Sequence, residues 1–234
     1  MANYRKYRKK NKKNVRRRRR IPRRILPLNG FPDTQVARHR YVDQFQISYK
    51  GTDQLSSSKS YVANGAYDPD SSIGAGQAQP KGFDEMMAIY DHYQVIGSKI
   101  TVQSVFADQS STTGVLWGIK LSDASGTQAG RVLESIMETK GVVKRLSLPN
   151  SNSSSFTRPQ KAMIKYSPKR MFGKNFTNTD RNQGNKNSNP EEKAYYEIFV
   201  CPMRSNSSGT KQCHFILTID YLIKYTERKA LDRS

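Results

Sequence analysis

Fourteen of the chain's 40 lysines and arginines fall within residues 1–24, where no acid occurs. They are Arg5, Lys6, Arg8, Lys9, Lys10, Lys12, Lys13, Arg16, Arg17, Arg18, Arg19, Arg20, Arg23 and Arg24. Their chemistry is phosphate chemistry. Each cation displaces a counterion condensed on a nucleic acid, and the entropy released drives binding without regard to sequence. Arginine adds a planar fork that meets two phosphate oxygens at once, which lysine lacks. Tyr4 and Tyr7 stand among these charges, where each can stack on an unpaired base for ~1–3 kcal/mol. A nuclear import signal needs only about 5–8 clustered basic residues, so this run exceeds what import alone requires, although the two roles can coexist. A lipid-binding segment needs an apolar face, and Tyr4, Tyr7, Val15 and Ile21 do not make one.

Other reactive side chains are sparse. Asp68 and Asp70 lie in one turn and could ligate calcium, but two carboxylates fall short of the roughly 6–8 oxygens that ion takes, which favours a plain turn. His39, His92, Cys201, Cys213 and His214 show no C-x-x-C or H-x-x-x-H spacing, and Cys213 and His214 would point to opposite faces of a strand. No metal or other cofactor is expected. Cys201 and Cys213 are the only cysteines, too few for a disulfide framework, though neighbouring strands would allow them to pair. No Walker A loop, G-x-S-x-G elbow or His-hydrophobe-His pair occurs, and Glu134, Glu138, Glu191 and Glu192 lack the spacing of acid–base partners. These residues give no reason to expect an enzyme. Three N-x-S/T sequons, at Asn152, Asn175 and Asn206, read as polar loops in a chain made inside the cell. That expectation follows from Ile25-Leu26-Pro27-Leu28, too short and broken for a signal-peptide core, and from the lack of any run of about 20 apolar residues.

The elements behind the basic run are mostly strands. The rest of the 234 residues carries 26 basic and 19 acidic side chains, so two-thirds of the +21 net charge sits in about a tenth of the length. A run of like charges cannot collapse on itself, and residues 1–24 are expected to stay disordered until a polyanion neutralises them. Residues 25–40 read as a linker, with Pro22, Pro27, Gly30 and Pro32 against regular structure. From Tyr41 to Tyr49 apolar and polar residues alternate, the pattern of a half-buried strand. Further strands are expected at 58–67, 94–107, 114–121, 142–148, 161–166, 194–201 and 212–225, with Gly97 marking a bulge. Two short helices are expected at 83–90 and 131–138: Phe83, Met87 and Tyr90 make a buried stripe, and Asp84 and Glu85 sit where the helix dipole favours acids. Residues 173–192 read as a long polar loop.

Eight strands with long connections suit an all-β, two-sheet Greek-key sandwich, whose eight-stranded version is the jelly roll. The strand order stays open. Trp117 and the strand tyrosines are expected in the core or at subunit contacts rather than as stacking platforms. Lys165, Lys169, Arg170 and Lys174 offer a second basic patch, with solvated surface the favoured alternative.

An ordered series of short motifs carries a resemblance. Asn64-Gly65-Ala66-Tyr67-Asp68-Pro69-Asp70, Gln79-Pro80-Lys81-Gly82-Phe83-Asp84-Glu85, Tyr90-Asp91-His92-Tyr93-Gln94-Val95 and Gly97-Ser98-Lys99-Ile100-Thr101-Val102 follow one another. Together with the ending Asp220-Tyr221-Leu222-Ile223-Lys224-Tyr225-Thr226-Glu227-Arg228, they resemble capsid proteins of small circular Rep-encoding single-stranded DNA viruses (CRESS-DNA viruses), relatives of the circoviruses. Residues 108–192 add little to the likeness, and the lysine block Lys9, Lys10, Lys12 and Lys13 departs from the more arginine-rich circovirus arms. The resemblance implies a jelly-roll shell domain over residues 41–234 and about 60 copies in a T=1 icosahedral shell. It also implies an arm facing inward onto single-stranded DNA, location in the virion and host nucleus, and host import and cell-surface receptors as further partners. Sixty such arms carry about 840 positive charges, the scale of a strand of about one to a few kilobases. Rival readings are the capsid of a small RNA virus, a basic-tailed host nucleic-acid-binding protein, and a nuclease.

Overall fold

Tyrosines, phenylalanines and β-branched residues at every second position build the sandwich. The computed structural model describes residues 31–50, 55–70, 72, 79–107, 114–147, 159–173, 179–203 and 209–230. Asp33–Ser234 forms one compact unit, separate from Met1–Pro32, of which only residues 31 and 32 are described. The strands are β1 (Thr34–Lys50), β2 (Ser57–Val62), β3 (Tyr90–Ala107), β4 (Val115–Ser122), β5 (Val142–Ser147), β6 (Lys161–Tyr166), β7 (Tyr195–Pro202) and β8 (Thr210–Arg228). Short helices α1 (Phe83–Ile89), α2 (Leu133–Glu138) and α3 (Pro168–Met171) punctuate them.

All described pairings are antiparallel, and they make two four-stranded sheets with orders β1-β8-β3-β6 and β2-β7-β4-β5. Successive strands cross from one sheet to the other at every step except β4 to β5. This is jelly-roll topology, and it settles the order that the sequence left open. Ile96 is the extra residue of a bulge between Val95 and Gly97, as the glycine suggested.

β3 starts at Tyr90 rather than 94, taking from the expected helix the last residue of its stripe, whose extended backbone ends α1 at Ile89. Three further features differ from expectation. β1 starts at Thr34, so residues 34–40 belong to the ladder rather than to a linker. Its inward set continues through Ala37 and His39 while Arg38 and Arg40 face solvent, a pattern with too little apolar contrast to show in sequence. β2 ends at Val62 rather than at residue 67, because the amides of Val62 and Ala63 turn to the carbonyls of Pro69 and Ala194. A third helix, α3, joins the two expected. Its single turn begins at Pro168, whose fixed φ suits a first helical position, and it is too short to show periodicity.

The core lies between the sheets. Phe215 stacks on Phe45 with centroids 5.5 Å apart and meets Trp117 at 5.3 Å. Trp117, Val115 and Ile119 of β4 face the inward set of β8, namely Phe215, Leu217, Ile219, Tyr221, Ile223 and Tyr225. A smaller cluster sits on the other side of the second sheet, where Ile136 of α2 packs with Leu116, Phe199 and Cys201. Gly118 permits the close approach there: an added Cβ would collide with the Val143 carbonyl oxygen and stand 2.7 Å from the Phe199 ring. Cys201 and Cys213 are both buried and lie on different sheets, so they do not form the disulfide that neighbouring strands would have allowed.

Phe215→Ala removes the ring shared by both sheets and should cost about 3–5 kcal/mol. Denaturant unfolding of the parent and variant measures it; a loss below about 1 kcal/mol would mean the sheets do not meet through this ring.

Candidate functional site

The phosphate-binding residues expected from sequence, the fourteen cations from Arg5 to Arg24 together with Tyr4 and Tyr7, lie outside the described residues, as does Lys174. The structure does place the motif residues of 64–70 and 90–98, and it gives them a shared structural task.

Tyr93 is fully buried, and its hydroxyl accepts the amides of Ala66 (3.2 Å) and Tyr67 (3.3 Å) while donating to Asn189 Oδ1 (3.1 Å). Asn189 in turn receives the Asp68 amide and donates to the Asp68 carbonyl. The Asn64 side chain donates to the Glu192 carbonyl and accepts the Ala194 amide. Residues 63–70 are thereby tied to residues 184–194 across one end of the sandwich. Gly65 and Gly184 are required at the closest points: a Cβ on Gly184 would stand 2.5 Å from the Tyr93 ring, and one on Gly65 would collide with Asn189.

More tyrosines extend the lattice. Tyr221 donates to the Val62 carbonyl at 2.7 Å, and Tyr196 sits 2.8 Å from the Ser98 hydroxyl and accepts the Tyr166 amide. His39 bridges two elements, with Nδ1 3.0 Å from the Lys81 carbonyl, an acceptor, and Nε2 2.9 Å from the Tyr225 hydroxyl. Burial pushes the hydroxyls of Tyr93, Tyr196, Tyr221 and Tyr225 well above the ordinary tyrosine range. They act as neutral donors and acceptors.

Asp70 is committed to partners within the chain. Asp70 is fully buried, pairs with Lys59 at 2.8 Å and accepts the Ser72 amide and hydroxyl. Lys59 also lies over the rings of Tyr61 and Phe45, at 5.1 and 5.4 Å. Desolvation, then the charge of Asp70, raises the Asp68 carboxyl above its usual range, with Lys193 pulling the other way. Among the described residues no three His, Cys, Asp or Glu side chains gather around a metal position. Burial pushes the Cys201 thiol up to about 11. A fully buried carboxylate, Glu197, accepts the Gln128 amide and the hydroxyls of Thr127 and Ser58, holding the segment before α2 against the second sheet. Trp117 is core, not a stacking platform.

The outward face of the β1-β8-β3-β6 sheet brings together charges that the sequence scatters. Arg40, Asp220, Lys99 and Lys165 form one rung across all four strands. Arg40 Nε lies 2.7 Å and Lys99 Nζ 3.6 Å from Asp220, while Lys165 stands directly opposite Lys99. Lys169 and Arg170 follow on α3, exposed. Of these residues only Lys165, Lys169 and Arg170 were grouped as a basic patch from sequence. The alternation of β1 and β3 would have assigned Arg40 and Lys99 to a solvent face, but nothing in the sequence says that those faces coincide.

No family model and no curated protein matches the chain. Solved structures similar to it include Desmodium yellow mottle tymovirus, at 14% identity over 100% of this chain and 97% of that one, with a TM-score of 0.40. The decameric BFDV capsid protein is 11% identical over 82% of this chain and 100% of that one, with a TM-score of 0.44. Cocksfoot mottle virus is 10% identical over 84% and 97% respectively, with a TM-score of 0.44. The jelly-roll assignment stands on the strand order itself.

Tyr93→Phe should cost about 1–3 kcal/mol in denaturant unfolding, since it strands two amides; no loss would remove the lattice from the account of stability. Asp68 has a raised folded pKa, so its contribution to stability is complete below the ordinary carboxylate pKa and is lost as pH rises through the raised one. Asp68→Asn, compared with the parent, should therefore gain stability between about pH 4 and pH 7. Denaturant midpoints at both pH values check this, and a pH-independent difference would contradict it.

Proposed function

We propose that the chain is a virus capsid protein whose jelly-roll domain self-associates into a closed shell and whose basic N-terminal segment packages the genome. The observation that carries this reading is the joining of two features in one chain. One is an eight-stranded jelly roll over Asp33–Ser234; the other is a 24-residue stretch with fourteen cations and no acid. Jelly rolls serve capsids, lectins and cupins alike, so the fold alone does not choose among them. A polycation with no sequence-reading element does choose: it suits a partner met as bulk polyanion, bound by counterion release.

The motif series resembling CRESS-DNA virus capsids supports single-stranded DNA as that polyanion, with about 60 copies in the shell. Assembly in the host nucleus, engagement of import and cell-surface receptors, and a structural rather than catalytic role belong to the same proposal. Nuclease treatment of packaged material separates the genome types. DNase-sensitive, RNase-resistant contents are expected, and the reverse would move the protein to RNA viruses.

Replacing Arg16 to Arg20 together by Gln in the full chain tests the arm. With a slope of about 0.7 per neutralised phosphate for single strands, log affinity against log salt should become shallower by about 3.5. The affinity lost between 50 and 200 mM salt then shrinks by about a hundredfold, read by anisotropy of a labelled single-stranded oligodeoxynucleotide. An unchanged slope would exclude the segment from packaging.

A further inference from the structure

We infer that the outward face of the β1-β8-β3-β6 sheet is a second binding surface for the phosphate backbone of a single-stranded nucleic acid, built into the folded domain. This deepens the packaging proposal and rests on it.

On the positions facing away from the core, β1 presents Arg38, Arg40 and Lys50, and β6 presents Lys161 and Lys165, all exposed. The inner strands add Lys99 from β3 and Lys224 from β8. Among the described residues, Asp220 is the one carboxylate in the body of this face. Asp33, Asp91 and Glu227 stand at one end of it, where they meet Arg228, Lys229 and His92 respectively.

The arrangement opposes the fold's own stability. Lys99 and Lys165 are direct cross-strand partners, and like charges placed so repel. Asp220, at 2.7 Å from Arg40 and 3.6 Å from Lys99, cannot neutralise both and Lys165 as well. Lysine at a sheet edge often serves to block edge-to-edge pairing, which accounts for β1 and β6. It does not account for Lys99 and Lys224, because β3 and β8 are the interior strands of this sheet.

Charge also selects the occupant. Val42, Met163 and Ile216 lie exposed among these cations and would suit a protein surface. A second copy, however, brings a chain that is itself basic even beyond residue 24, with 26 cations to 19 acids. A polyanion brings the missing charge.

The test replaces Lys99, Lys161 and Lys165 by Gln in the full-length chain and measures salt-dependent binding of the same oligodeoxynucleotide. The slope should fall by about 2, so the affinity lost between 50 and 200 mM salt shrinks by about twentyfold. Replacing exposed Lys81, Lys140 and Lys186 by Gln makes the same change in net charge elsewhere and should move the slope far less. Lys→Arg at the three face positions should keep the parent slope and confirm that charge at this place matters. Equal effects of the two Gln triples, or no effect of the face triple, overturn the inference. So does a face triple that alters assembly in sedimentation while leaving the slope intact, which would give the face to a second copy. The arm variant separates the two readings: an arm effect without a face effect sinks this inference alone, and a face effect without an arm effect sinks packaging by the arm.

Discussion

β8 is held on both sides along most of its length, by β1 from Thr34 to Lys50 and by β3 from Tyr90 onward, and the rest of the domain is arranged around that constraint. Its period-two alternation divides the chain's chemistry. One side carries Phe215, Leu217, Ile219, Tyr221, Ile223 and Tyr225 into the core; the other carries Thr218, Asp220 and Lys224 outward. A shift of one residue would exchange the two sets, so the apolar face fixes the register in which the outer charges are displayed. Pairing of β1 with β8 also joins nearly opposite ends of the described chain. Such contacts require long loop closure and place this domain among slow-folding topologies.

The tyrosine lattice answers a problem that the jelly roll creates. Strands that cross between sheets at nearly every step leave long connections, whose amides would be buried unpaired if the loops packed on the sandwich end. Tyrosine reaches from a strand into such a loop with an apolar ring and a polar tip. Tyr93 and Tyr221 both do this toward residues 62–67, and the Asn64 and Asn189 side chains complete the pairing with residues 189–194. The segment Asn64–Asp70 is thus held by hydrogen bonding and close backbone approach.

Much of this was legible in the sequence, for a physical reason that also sets the limit. Strands with strong contrast between faces announce themselves: β6 and the Gly97 bulge lie where the pattern puts them, and β8 extends only a few residues past its expected ends. The first turns of β1 do not, because Gln35, Ala37 and His39 face inward with little apolar signal. α3 is too short for a period to exist. The outer basic rung was the least legible feature. Arg40, Lys99, Lys165 and Asp220 are far apart in the chain, and only the strand order makes them neighbours. The cations of residues 1–24 needed no fold to be found, since their meaning lies in local density of charge.

Self-tiling of the sandwich is the claim on which the whole account depends, and electron microscopy of the purified full-length protein mixed with single-stranded DNA tests it most directly. Closed particles of uniform diameter, with the nucleic acid protected inside them, are the predicted result. A protein that remains monomeric in that mixture, at concentrations where it coats the DNA, would contradict it.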